Sequence, residues 1–148
     1  MVKGLRSGKT VWIMTAWRDA LFMEGSLKHM SLMEELSALG VDTAEGLDRV
    51  MGDNDLYVMM LGMFADAIQS SKITPADFDG GGLEELTNKV HTLKGTTGNL
   101  ALTPLFNAYN EALGLLRAGQ PAQAKAVYER MLPVQAKILD CITRHNGA

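Results

Sequence analysis

Residues 83–100 read LEELTNKVHTLKGTTGNL, and this stretch decides the fold class. Leu83, Leu86, Val90, Leu93, Thr97 and Leu100 recur at alternating steps of three and four, the seam of an amphipathic helix packed in a bundle. At about 100° per residue these positions gather on one stripe of the helical wheel. His91 falls roughly 140° from that stripe, so its imidazole is expected to face water. Lys94, Gly95 and Gly98 follow it on the same face, and Thr87 precedes it by one turn. The helix is therefore expected to present an imidazole, a neighbouring ammonium and bare backbone on one ledge.

The flanking segments read as further helices. Ser31-Leu32-Met33-Glu34 has capping-box spacing and opens a short helix that Gly40 ends. Asp42-Thr43-Ala44-Glu45 starts another short one. Asp53 caps a longer helix whose buried face is expected to be Leu56, Met60, Met63, Phe64 and Ala67; the methionines of 59–63 are read as core filler, the alternative being an adaptable binding surface. Thr74-Pro75 and Thr103-Pro104 are helix starts, the second leading to an apolar face of Leu105, Ala108, Ala112 and Leu116. Gly119 stops that helix, and Pro121 opens the last one, in which Pro133 should produce a kink. The sum is an all-α chain: an antiparallel four-helix bundle with additional short N-terminal helices.

Composition agrees. The 148 residues are 47% hydrophobic and 21% charged, which places the chain among single globular domains. Aromatics supply only 6% while Met reaches 10, and β-branched runs are few, which favours helices over strands. A net charge of −3 without a basic stripe offers no footprint for nucleic acid. No stretch approaches the ~20 apolar residues of a membrane helix. Lys3, Arg6 and Lys9 ahead of Val11-Trp12-Ile13-Met14 imitate a secretory signal, but Arg18 and Asp19 cut the apolar run and no cleavage site follows.

Residues 1–30 are read as an N-terminal extension, linker-like or foreign to the domain, and residues 31–148 as the bundle domain. The extension holds one amphipathic helix, with Ile13, Ala16, Trp17, Ala20 and Leu21 on its apolar side. That helix covers the bundle's end or, through Trp12 and Trp17, makes a dimer contact; otherwise a monomer is expected. Cys141 is the only cysteine, so no internal disulfide forms, which fits a reducing cytoplasm. No pair of His, Cys or carboxylate residues is read as having metal-ligand spacing, and His145 is assigned to a frayed end. Neither a metal nor a cofactor is expected on this chain. Gly80-Gly81-Gly82 lacks the Lys and Ser/Thr of a nucleotide loop, so no ATP site is expected and the chain is read as a carrier rather than an enzyme.

His91-Thr92-Leu93-Lys94-Gly95 and the small residues up to Leu100 resemble the phosphorylation motif of histidine-containing phosphotransfer (HPt) domains. A second stretch is similar too: Val41 to Arg49, then Gly52-Asp53, Tyr57 and Phe64. The resemblance spans roughly residues 41–142. It implies a phosphorelay intermediate, in which His91 accepts a phosphoryl group from the aspartate of one receiver domain and passes it to another. Lys94 would support the phosphate's charge and Gly95 would give clearance to the partner. Mg²⁺ is expected on the partner receiver, and the partners are receiver domains of response regulators or hybrid histidine kinases. By geometry rather than motif, Thr87, Asn88 and Gly98 would lie under the docked partner. The chain departs from the family in having Ala101 where glycine is common, and Leu113 where some members place a polar residue near the histidine. Arg117, one turn on, could supply charge instead.

The chemistry suits such a ledge. A free imidazole titrates at about pH 6.5, so an exposed one carries a lone pair at neutral pH. Phosphoryl transfer rests on positioning and on neutralising the transferred oxygens, which a Lys at i+3, about 5–6 Å away between Cβ atoms, can do. The competing readings are a binding-only module that regulates a kinase or regulator without carrying phosphate, and a plain helical scaffold.

Overall fold

The computed structural model describes residues 31–146. The expected N-terminal extension and its tryptophan helix lie outside them. Among the described residues there are six α-helices and no strand: α1 (Leu32–Ala38), α2 (Thr43–Arg49), α3 (Asn54–Ser71), α4 (Leu83–Asn99), α5 (Thr103–Arg117) and α6 (Pro121–Asn146). A 3-10 turn over Pro75–Asp79 links α3 to α4. No described helix is long and apolar enough to cross a membrane.

Local chemistry sets the helix ends. The Asp42 carboxylate accepts from the Glu45 amide at 3.1 Å and starts α2; Asp53 accepts from the Leu56 amide at 3.1 Å and starts α3. Gly40 and Gly119 adopt φ of 95° and 74° after α1 and α5, the left-handed turn that ends a helix most cheaply with glycine. Ala101 takes φ 56° directly after α4. A position there favours glycine, so the alanine sits in a strained conformation.

Helix α4 packs on α5, α5 on α6, α6 on α3, and α3 on α4. Leu86, Val90, Leu93, Thr97 and Leu100 of the α4 seam are buried and Leu83 is half-buried. The polar member, Thr97, is accommodated because its hydroxyl donates to the Leu93 carbonyl at 2.8 Å. Tyr109 and Gln135 hydrogen-bond inside the core, and the Phe78 and Tyr128 rings meet at 5.1 Å to close the end near the 3-10 turn.

Helix α3 corrects one expectation. Its buried seam is Tyr57, Leu61 and Phe64, whereas Leu56 is 36%, Met59 56% and Met63 61% exposed. The helix is rotated by about one residue from the stripe read in the sequence. The cause is Tyr57: its ring is fully buried and its hydroxyl donates to the Leu100 carbonyl at 2.7 Å. Gly46 of α2 makes this possible, since a Cβ there would come within 2.6 Å of the Tyr57 ring. The exposed methionines are surface, not core filler. On α5 the buried residues are Leu105, Tyr109, Ala112 and Leu113, with Ala108 and Leu116 only half-buried. Helix α6 runs continuously through Pro133. That ring offers no amide to the Glu129 carbonyl, and it stands on the exposed side, where water can serve instead.

Candidate functional site

The exposed face of α4 is built by what its opposite face buries. With Val90 and Leu93 fixed in the core, His91 between them is turned outward and is exposed. Neither its imidazole nor the Lys94 ammonium hydrogen-bonds or pairs with any described side chain. Lys94 is half-buried. The threonines around them are internally satisfied: Thr87 donates to Leu83, Thr92 to Asn88 and Thr96 to Thr92, each to a carbonyl one turn back. Among the described residues the two nitrogen groups are therefore unengaged, with the neutral amides of the exposed Asn88 and Asn99 near them on the helix.

The two glycines differ. A Cβ at Gly95 would meet nothing within 4 Å, so this position is open to an approaching surface. A Cβ at Gly98 would lie 3.1 Å from Cδ1 of Phe106. Gly98 is half-buried, and its missing side chain serves the contact between α4 and α5 as well as the face that carries His91. Asn88 is exposed and Thr87 half-buried on the turn before the histidine.

His91, Thr92, Lys94, Gly95 and Asn99 line a shallow surface depression. Lys94, Gly95 and Asn99 also line a second cavity of about 350 Å³, floored by Gly98, Ala101 and Phe106. Arg49 and Glu45 of α2 line it as well, with Arg49 Nε donating to the Glu45 carboxylate at 3.1 Å. The cavity thus joins three segments distant in sequence and has a second cation, Arg49, in the same lining as Lys94. Arg49 and Phe106 are site residues that the sequence reading did not single out; Arg49 lay inside the second matching stretch without an assigned role. Arg117 is exposed in the last turn of α5 and lines neither depression. Leu113 is buried in the core.

A separate cluster overturns the frayed-end assignment. Glu35 of α1 accepts from Arg144 at 2.7 Å and contacts His145 Nε2 at 2.6 Å, which pins the end of α6 to α1. Hydrogen bonds from these two side chains hold the Glu35 carboxyl below its ordinary value, the Arg144 hydrogen bond contributing most. The Cys141 thiol lies against the same group, and burial pushes it up to about 11. The spacing of Cys141 and His145, one helical turn apart, is the sequence signal for this cluster, contrary to the expectation that no such pair has ligand spacing.

Comparison with protein-family models, curated proteins and solved structures finds no match to this chain.

Proposed function

We propose that the chain is a histidine phosphotransfer protein of the HPt kind, with α3, α4, α5 and α6 forming an antiparallel four-helix bundle and His91 as the phospho-acceptor. The closed ring of helix contacts, α3 to α4 to α5 to α6 and back to α3, supports the bundle. The observation that carries the function is the exposed His91 imidazole, which like the Lys94 ammonium has no partner among the described residues, next to the open Gly95 position.

The reaction needs little from the chain beyond this. A neutral imidazole nitrogen attacks the phosphorus of a receiver's aspartyl phosphate; the N–P bond forms as the P–O bond to the carboxylate breaks. Lys94 stabilises charge on the transferred oxygens, and the absent side chain at Gly95 lets the partner's acidic pocket close on the nitrogen. The reverse sequence delivers the group to a second receiver. Mg²⁺ belongs to the receiver, the chain works in the cytoplasm as a monomer, and it has no ATP chemistry of its own.

The test is incubation of the full chain with a phosphorylated receiver domain carrying labelled phosphate. Label should pass to the wild type and not to His91→Gln, while His91→Gln still binds the receiver. Equal labelling of both ends the acceptor assignment. Binding of both without labelling of either favours the docking-only module.

A further inference from the structure

The geometry points to a divalent-metal site of the zinc class, formed by Glu35, Cys141 and His145 where α1 meets the end of α6. Glu35 and His145 stand 110 positions apart in sequence, yet Glu35 Oε2 and His145 Nε2 are 2.6 Å apart. One ligand atom from each of the three residues lies within 4.8 Å of the others. Cys141 and His145, four apart on α6, necessarily share a face, and α1 brings the carboxylate over it.

The donor set is one sulfur, one imidazole nitrogen and one carboxylate oxygen. Borderline-soft Zn²⁺ takes this combination, with three protein ligands leaving a fourth position for water. Cys141 is 1% exposed, while the Glu35 and His145 side chains are 15% and 27% exposed, so the cluster is enclosed on the sulfur side and open on the other. In a tetrahedral site with bonds of ~2.0–2.3 Å, ligand atoms stand about 3.3–3.8 Å apart. The Glu35–His145 contact opens by roughly 1 Å, and the thiol closes by side-chain rotation. A cation replaces the direct hydrogen bond between them.

The loaded site is balanced in charge: once the thiol has given up its proton, Glu35, Asp140 and the Cys141 thiolate carry three negative charges against Arg144 and the divalent ion. Arg144 donates to Glu35 Oε1 at 2.7 Å and to Asp140 at 2.9 Å. It thereby orients the carboxylate and leaves Oε2 for the metal. On binding, the thiol proton passes to solvent, the proton held between His145 Nε2 and Glu35 moves to Nδ1 or to solvent, and His145 coordinates through Nε2 as the neutral ring. The metal would clamp the first helix of the described unit to its last, far in sequence from His91.

Titration of Co²⁺ into the full chain tests this. One equivalent should give the near-ultraviolet band of a thiolate–cobalt bond with intense tetrahedral visible bands, and Zn²⁺ should bleach both. Cys141→Ser should abolish the near-ultraviolet band, Glu35→Gln and His145→Gln should each weaken binding by tenfold or more, and His91→Gln should leave it unchanged. Because Cys141 is the only thiol, a variant-free measurement is also available: Zn²⁺ should slow its reaction with a disulfide reagent at least tenfold. No thiolate band at one equivalent, a band that survives Cys141→Ser, or thiol reactivity indifferent to Zn²⁺ overturns the site.

Discussion

Replacing Gly95 by alanine separates what the helix prefers from what a partner requires. Glycine inside a helix costs about 0.5–1 kcal/mol relative to alanine, because it loses more backbone freedom on folding. An added Cβ at Gly95 would meet nothing within 4 Å, so nothing among the described residues opposes the gain. Gly95→Ala should therefore stabilise the protein by about 0.5–1 kcal/mol, which raises the melting temperature by roughly 2–5 °C. Gly98→Ala is the internal comparison: its Cβ would press on Phe106 at 3.1 Å, so the ring must move towards the neighbouring cavity and the gain should be smaller. Thermal and urea unfolding followed by circular dichroism read both. Gly95→Leu then tests the clearance. A side chain forced into a close interface costs about 1–3 kcal/mol, or roughly 5- to 150-fold in the rate of transfer from a receiver. Destabilisation by Gly95→Ala refutes the open-position reasoning. Wild-type transfer by a folded Gly95→Leu refutes the clearance.

Other expectations follow from the same structure. Gly46→Ala should lower the urea midpoint sharply, by about 1–3 kcal/mol of stability, because its Cβ would come within 2.6 Å of the buried Tyr57 ring. Tyr57→Phe leaves the Leu100 carbonyl without its donor and should cost about 1–3 kcal/mol by the same assay. The chain's three tyrosines, Tyr57, Tyr109 and Tyr128, are all raised by burial, Tyr57 to about 12. Their folded values exceed the unfolded value of about 10. They therefore support the fold below about pH 10, and that support is lost as pH climbs through the folded values. Tyrosinate absorbance should rise together with helix loss; any tyrosine that ionises at its ordinary pH with the helices intact contradicts this. Lys94→Ala should slow phosphoryl transfer while shifting stability by less than about 0.5 kcal/mol, since it makes no ion pair among the described residues.

Helix α4 was legible because its apolar steps of three and four admit one face only, and that face fixes where His91 points. Helix α3 was not. Its stripes Leu56–Met60–Met63 and Tyr57–Leu61–Phe64 differ by about 100°, and both are apolar. What selects between them is long-range: the Leu100 carbonyl that receives the Tyr57 hydroxyl, and the Gly46 backbone that admits its ring. The cavity beside Gly95 escaped for the same reason, since Arg49, Lys94 and Phe106 meet only after α2, α4 and α5 have packed. Ala101 could be seen as a departure from a pattern, but its left-handed φ required the fold. The Cys141–His145 spacing stood in the sequence; Glu35, more than a hundred positions away, did not advertise itself as the third member.

The most direct measurement is site mapping of the phosphoryl group. After the chain is phosphorylated by a receiver, peptides kept at neutral to alkaline pH are sequenced by mass spectrometry. The expected result is a single acid-labile phosphate on His91. Phosphate on any other residue, or none on a chain that demonstrably binds the receiver, contradicts the role given to His91.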